Sequence, residues 1–166
     1  MFNREKPIKE IFTIEAFQSL ANWFLDQLID KVAVVNAHRQ KASLSVLKQI
    51  SEEQKREFVR ACSQDMFDQL QDIKLDPAQP RDIIRINVSE IASYAEKANL
   101  PALCIPPETF IKPIAFISAS GRITFDDGRD LGDIYDPKKS IQYKSNHLKE
   151  ANVEELAART TLKNGH

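Results

Sequence analysis

IAFISASGRITF, Ile114 to Phe125, is the stretch on which the fold turns. Two runs rich in β-branched and aromatic residues flank Ser-Gly, which is the pattern of a β-hairpin. With Ser120 and Gly121 as a two-residue turn, Phe116 faces Phe125 and Ser118 faces Ile123, while Ile117 pairs with Thr124 and Ala119 with Arg122. One face is then aromatic and aliphatic, and the other carries Arg122 and Thr124 toward solvent or a partner. A one-residue slip would exchange the faces.

Upstream, the chain has a different style. No Gly or Pro lies between Ile8 and Asp76, whereas seven of the eight prolines and all four glycines come later. The first part is therefore helix-permissive and the second is punctuated by turns. The division falls at DPAQP, Asp76 to Pro80, where two prolines deny the backbone amide donors and helical dihedrals before them. Thr13 is placed to start a helix whose apolar residues Ile14, Phe17, Ala21, Phe24, Leu28, Val32 and Val35 recur at steps of three and four. Leu20, Trp23 and Leu25 widen that stripe, so the helix is expected to bury more than one side. After a polar break from Asn36 to Ser43, Leu44, Leu47 and Ile50 are read as the start of a second helical segment. Ser51 with Gln54 makes a capping-box pattern ahead of Phe58, Val59, Cys62, Met66 and Leu70.

Past the prolines, IIRINV (Ile83 to Val88) reads as a strand, a short helix follows from Ser89, and ALCI (Ala102 to Ile105) reads as a short buried strand. A βαβ unit there is allowed by length but not compelled. The fold expected from these elements is α+β. An N-terminal helical hairpin of two to three helices (1–76) adjoins a small region holding the sheet and the 114–125 hairpin (77–136). A polar C-terminal tail with one short helix (137–166) follows and reads as a docking segment.

Composition sets the class. The 166 residues are 42% hydrophobic and 28% charged, enough to bury a core without staples, and 23 Lys and Arg against 24 Asp and Glu leave no global field for nucleic acid or an anionic membrane. No apolar run reaches the roughly 18 residues of a membrane span, and MFNREKPIKEIF lacks the apolar core of a secretion signal, so the expectation is a soluble, cytoplasmic protein. Cys62 and Cys104 form no CxxC and read as reduced thiols, with a pairing between them left open.

Chemistry concentrates in GRITFDDGRDLGDIYD, Gly121 to Asp136, with five aspartates and three glycines. Asp126, Asp127, Asp130 and Asp133 are the candidate ligands of a divalent cation, which is the one cofactor the chain offers a place for. Neither register matches a calcium loop: counting from Asp126 puts Gly128 third, and counting from Asp127 puts Lys138 twelfth. The simpler account is turn chemistry, since Asp-Gly is a turn dipeptide and Arg129 neutralises a neighbour. Lys138, Lys139, Tyr143, Lys144 and Lys149 follow at once, a basic segment with one aromatic. It could trace a phosphate backbone, although one aromatic and four lysines are a weak footprint. Side by side, the acidic and basic blocks either screen one another or form a bipolar docking surface. NVEELAART, with Asn152 and Glu155 as a capping box around Val153 and Leu156, would be marginal as a lone helix and needs something to dock on.

No glycine-rich phosphate loop, zinc spacing or nucleophile motif is present. The function expected is a non-enzymatic subunit or adaptor of a larger protein assembly. Its partner-binding residues would be Arg122, Lys138, Lys139, Tyr143, Lys144, Lys149, Val153 and Leu156. The partners would be other protein subunits or further copies of the chain. The alternatives are a small divalent-metal enzyme using the aspartate loop and a nucleic-acid accessory protein using the 138–149 segment.

Overall fold

The computed structural model describes residues 4–79, 81–87, Glu90, Ala95 and 113–149. The fold is α+β, with three helices, a five-stranded antiparallel sheet and a small two-stranded sheet among the described residues. Strand β1 (Lys6–Pro7) pairs with β2 (Lys74–Leu75), and helix α1 (Ile8–Ile11) leads into α2 (Ile14–Lys41) and α3 (Glu52–Leu70). The large sheet runs β3 (Ile83–Asn87), β4 (Ile114–Ser118), β5 (Ile123–Asp126), β6 (Leu131–Asp136) and β7 (Ile141–Gln142), each beside its sequence neighbour. The helix expected from Ser89 and the ALCI strand, with Cys104, lie outside the described residues apart from Glu90 and Ala95.

Helix α2 extends past the expected break because polar residues 36–41 include no breaker. Its 28 residues span about 42 Å at the α-helical rise. It ends where Ser43 turns left-handed (φ 57°), so that Leu44 N–H donates to Arg39 O (2.8 Å) and Ser43 N–H to Gln40 O (3.1 Å). This is a Schellman cap with serine in the place glycine usually takes. Residues 44–50, expected to begin a helix, are an irregular connector instead. The side-chain amide of Asn36 pairs with the backbone of Leu47 in both directions (2.7 and 3.3 Å), and Arg39 Nε donates to Ser45 O, so the segment is held along α2. The capping box that starts α3 forms as read, with Gln54 N–H on Ser51 Oγ (3.1 Å) and Ser51 N–H on Gln54 Oε1 (2.9 Å).

The front half of α2 is the centre of the core. Phe17, Leu20, Trp23, Phe24, Leu25 and Leu28 are at most 1% exposed, packed with Phe58, Cys62 and Met66 of α3 and with Ile117, Ile123 and Ile134 of the sheet. Each such aliphatic or aromatic side chain contributes about 1.5–3 kcal/mol by leaving water. The helix buries two sides because it lies between two layers: Phe17 meets Phe67 of α3 (5.6 Å) and Trp23 meets Phe125 of β5 (5.2 Å). One cluster of buried side chains thus joins the helical region to the sheet across the turn at Asp76–Gln79.

The β4–β5 hairpin differs from expectation by one residue. Ala115 opposes Phe125, Phe116 opposes Thr124 and Ile117 opposes Ile123, with Ser118 N–H donating to Arg122 O across a three-residue loop. A type I′ two-residue turn needs positive φ at both central residues, whereas this loop needs it only at Gly121 (φ 91°). The slip keeps Phe125 inside, with Ala115 and Ile117, and moves Phe116 to the outer face. Gly132 lies directly opposite Phe125, where a Cβ would come within 2.6 Å of the ring. A register shift between Ile123 and Thr124 leaves one extra residue on β6, so Ile134, Tyr135 and Asp136 are buried in succession.

Candidate functional site

The aspartates at the far end of the hairpin are used mainly by the backbone. Asp126 Oδ1 accepts from Gly128 N–H (2.9 Å), and Asp127 Oδ1 accepts from Arg129 N–H (2.8 Å) and Asp130 N–H (2.7 Å). These are the Asx turns that Asp-Asp-Gly favours. Asp133 leaves the loop on β6 and takes Arg122 Nη2 at 2.6 Å. The same arginine places Nε 3.3 Å from Asp136 Oδ2, an ion pair without hydrogen-bond alignment, while Asp136 Oδ1 accepts from Lys138 N–H. Hydrogen bonding to Asp133 and its charge push the guanidinium pKa up. Among the described residues, no group of three or more His, Cys, Asp or Glu is arranged to hold a metal ion.

After the 3₁₀ turn Pro137–Lys139 and β7, residues 143–149 cross the helices as a strap. Its anchor is Asp26 of α2, 1% exposed, which sequence reading did not single out. The Asp26 carboxylate accepts from Tyr143 O–H (2.7 Å), Ser145 O–H and Asn146 N–H (2.8 Å). Asn22, one turn earlier, reaches Tyr143 O (3.5 Å), and Asp30, one turn later, lies 2.7 Å from His147 Nε2. Burial, then the bond to Asp26 and the charges of Asp26 and Asp30, push the Tyr143 phenol pKa up, so it stays a donor. The strap then reaches the first turn of α3. Lys55 Nζ donates to His147 O (2.8 Å), Lys149 N–H to Glu52 Oε2 (3.0 Å) and Arg56 to Lys149 O (3.2 Å). The available signal was the polar series Asn22, Asp26, Asp30 at intervals of four along the helix.

The outer face of the sheet carries a hollow of about 450 Å³ lined only by strand residues and Arg122, including Phe116, Thr124, Leu131 and Asp133. Leu131 is 79% exposed, and the guanidinium of Arg85 stands 6.0 Å from the centre of the Phe116 ring. The surface is thus apolar in the middle with an arginine on each side, one of them tied to Asp133.

Of the residues predicted to bind partners, Arg122 lines this hollow, and Lys138, Lys139, Lys144 and Lys149 are exposed. Tyr143 is turned onto Asp26, and Val153 and Leu156 lie outside the described residues. The four candidate metal ligands occupy one loop and strand start, with Asp133 engaged by Arg122. Cys62 is a free thiol in the core, its pKa pushed up by burial and by Asp65. No helix among the described residues is long and apolar enough to cross a membrane. Compared with protein-family models, curated proteins and solved structures, the chain matches none.

Proposed function

We propose that the chain is a non-enzymatic subunit or adaptor of a larger protein assembly, and that it holds a partner protein on the outer face of its sheet. The observation that carries this reading is the hollow around Phe116 and Leu131. It is an apolar centre flanked by Arg85 and Arg122, with a large aliphatic side chain 79% exposed. Interface cores are enriched in aromatics and arginine, and an exposed apolar surface rimmed by polar groups is the usual form of a protein-docking site. Lys138 and Lys139 on the adjoining turn extend the surface with positive charge. The test is co-purification from the native source with the untagged protein, the Leu131→Asp variant and the Phe116→Asp variant. The expected result is a stoichiometric protein partner, a second copy of the chain included, that both substitutions remove while circular dichroism and melting temperature stay unchanged. A wild-type protein that recovers nothing stoichiometric, or a partner retained by both variants, overturns the reading.

A further inference from the structure

A second hollow, of about 320 Å³, lies at the other end of the molecule between the rear half of α2 and the connector to α3. Ile29 and Val32 of α2 and Leu47 and Ile50 of the connector give it an apolar lining, and Lys48 and Lys55 stand at its edge. All four apolar side chains are only half-buried, so the groove is lined for a further apolar occupant.

The place where the strap is anchored on α3 points to the occupant. Lys55, a wall of the groove, donates to His147 O, and Lys149 is bonded on both its backbone sides to the same helical turn, through Glu52 and Arg56. Seventeen residues, 150–166, follow from that point. Val153 is four residues on, a reach of up to about 13 Å for an extended chain, and it starts the apolar set Val153, Leu156, Ala157. Glu150, Glu154 and Glu155 surround that set, opposite in sign to Lys48, while Lys55 is already paired with Glu52 (3.0 Å). We propose that the groove is the intramolecular docking site of the chain's own C-terminal segment, with Val153 and Leu156 entering between α2 and the connector. This is independent of the outer sheet face and of any partner there.

Hydrogen exchange on the full chain tests it. In the wild type, amides 153–157 and 46–50 should exchange about tenfold or more slowly than in Leu156→Asp. Lys48→Glu, a surface change that leaves the fold intact, should weaken the protection of 153–157. A synthetic 150–166 peptide added to Leu156→Asp should restore protection at 46–50, and wild-type protection should persist on dilution. Identical exchange at 46–50 in wild type and Leu156→Asp overturns the proposal. So does protection that disappears on dilution, which would assign the groove to a second copy, or protection at 153–157 that Lys48→Glu leaves unchanged.

Discussion

Helix α2 changes character at Leu28. Up to that residue it buries ten side chains, Trp23 and the carboxylate Asp26 among them; from Ile29 to Lys41 it buries none fully, although Ile29, Val32, Ala33, Val34 and Val35 are as densely apolar. Over 29–35 the composition is no less apolar than in the front half; the neighbours differ. The chain leaves α2 at Lys41 and uses the connector to walk back along it, so Ile50 and Lys55 meet Ile29 and Val32 and α3 covers only the front half. The sheet and the strap cover that same half. Apolar surface on a helix is an offer of packing, and the topology decides which part is taken up.

The largest expected effect tests this contrast directly. Trp23→Ala should cost about 3–5 kcal/mol in urea unfolding, because it opens a cavity between α2 and the sheet. Val34→Ala, at a residue 50% exposed on the rear half, should change stability by no more than about 0.5 kcal/mol. Comparable losses would mean that the rear half is also core, which would sink the comparison.

Next in size is the pair of carboxylates on either side of the change. Asp26→Ala leaves two hydroxyls and an amide of the strap without their acceptor and should cost about 2–3 kcal/mol. Asp30→Ala, which removes an exposed contact to His147, should cost no more than about 0.5 kcal/mol. Amide exchange at 143–147 should speed up strongly in the first variant and slightly in the second. Equal acceleration would show that the strap hangs from its end and not from the buried aspartate.

These residues also mark how far the sequence was legible. The front stripe of α2 and the Ser51–Gln54 box were readable because both rest on contacts within four residues. The 114–125 hairpin was readable as a hairpin, but its register hung on whether Ser120 shares the positive φ of Gly121, and one residue of turn length exchanged the faces of β4. With the right register, Phe116 and Arg122 would have been assigned to one surface beside Asp133. Leu44, Leu47 and Ile50 have helical spacing, yet Asn36 and Arg39 hold that backbone against α2 without helix, through contacts no local pattern encodes. Asp26 was visible as one of two acids in LANWFLDQLID, but its three partners lie about 120 positions away, so only the fold identifies it as an anchor. The Asp-Asp-Gly turn chemistry was legible because Asx turns close within three residues.

The cap at the exposed end of α2 offers a gain in place of a loss. Ser43 sits at φ 57°, a conformation that strains a residue with a Cβ and that glycine adopts freely. Ser43→Gly should therefore stabilise the chain by about 0.5–1 kcal/mol in the same urea titration, with the Schellman bonds kept. A loss would mean that the serine hydroxyl or its stiffness in the unfolded chain outweighs the relief.

The smallest effect comes from Glu52, at the junction of the two halves. Its carboxyl pKa is lowered from 4.5, first by the hydrogen bond from Lys149 N–H and then by Lys55, with a smaller contribution from Arg56. A group depressed in the folded state stabilises most fully above its unfolded pKa, and the contribution is lost as pH falls through the folded value. Glu52→Gln should consequently lower the melting temperature slightly at pH 7, and the difference from wild type should shrink on acidification below about pH 4.5. Because the side chain is 35% exposed, solvent screens the interaction and the shift should be smaller than that of Ser43→Gly. A difference that stays constant from pH 7 to pH 3 would show that Glu52 acts through its packing against the strap and not through its charge.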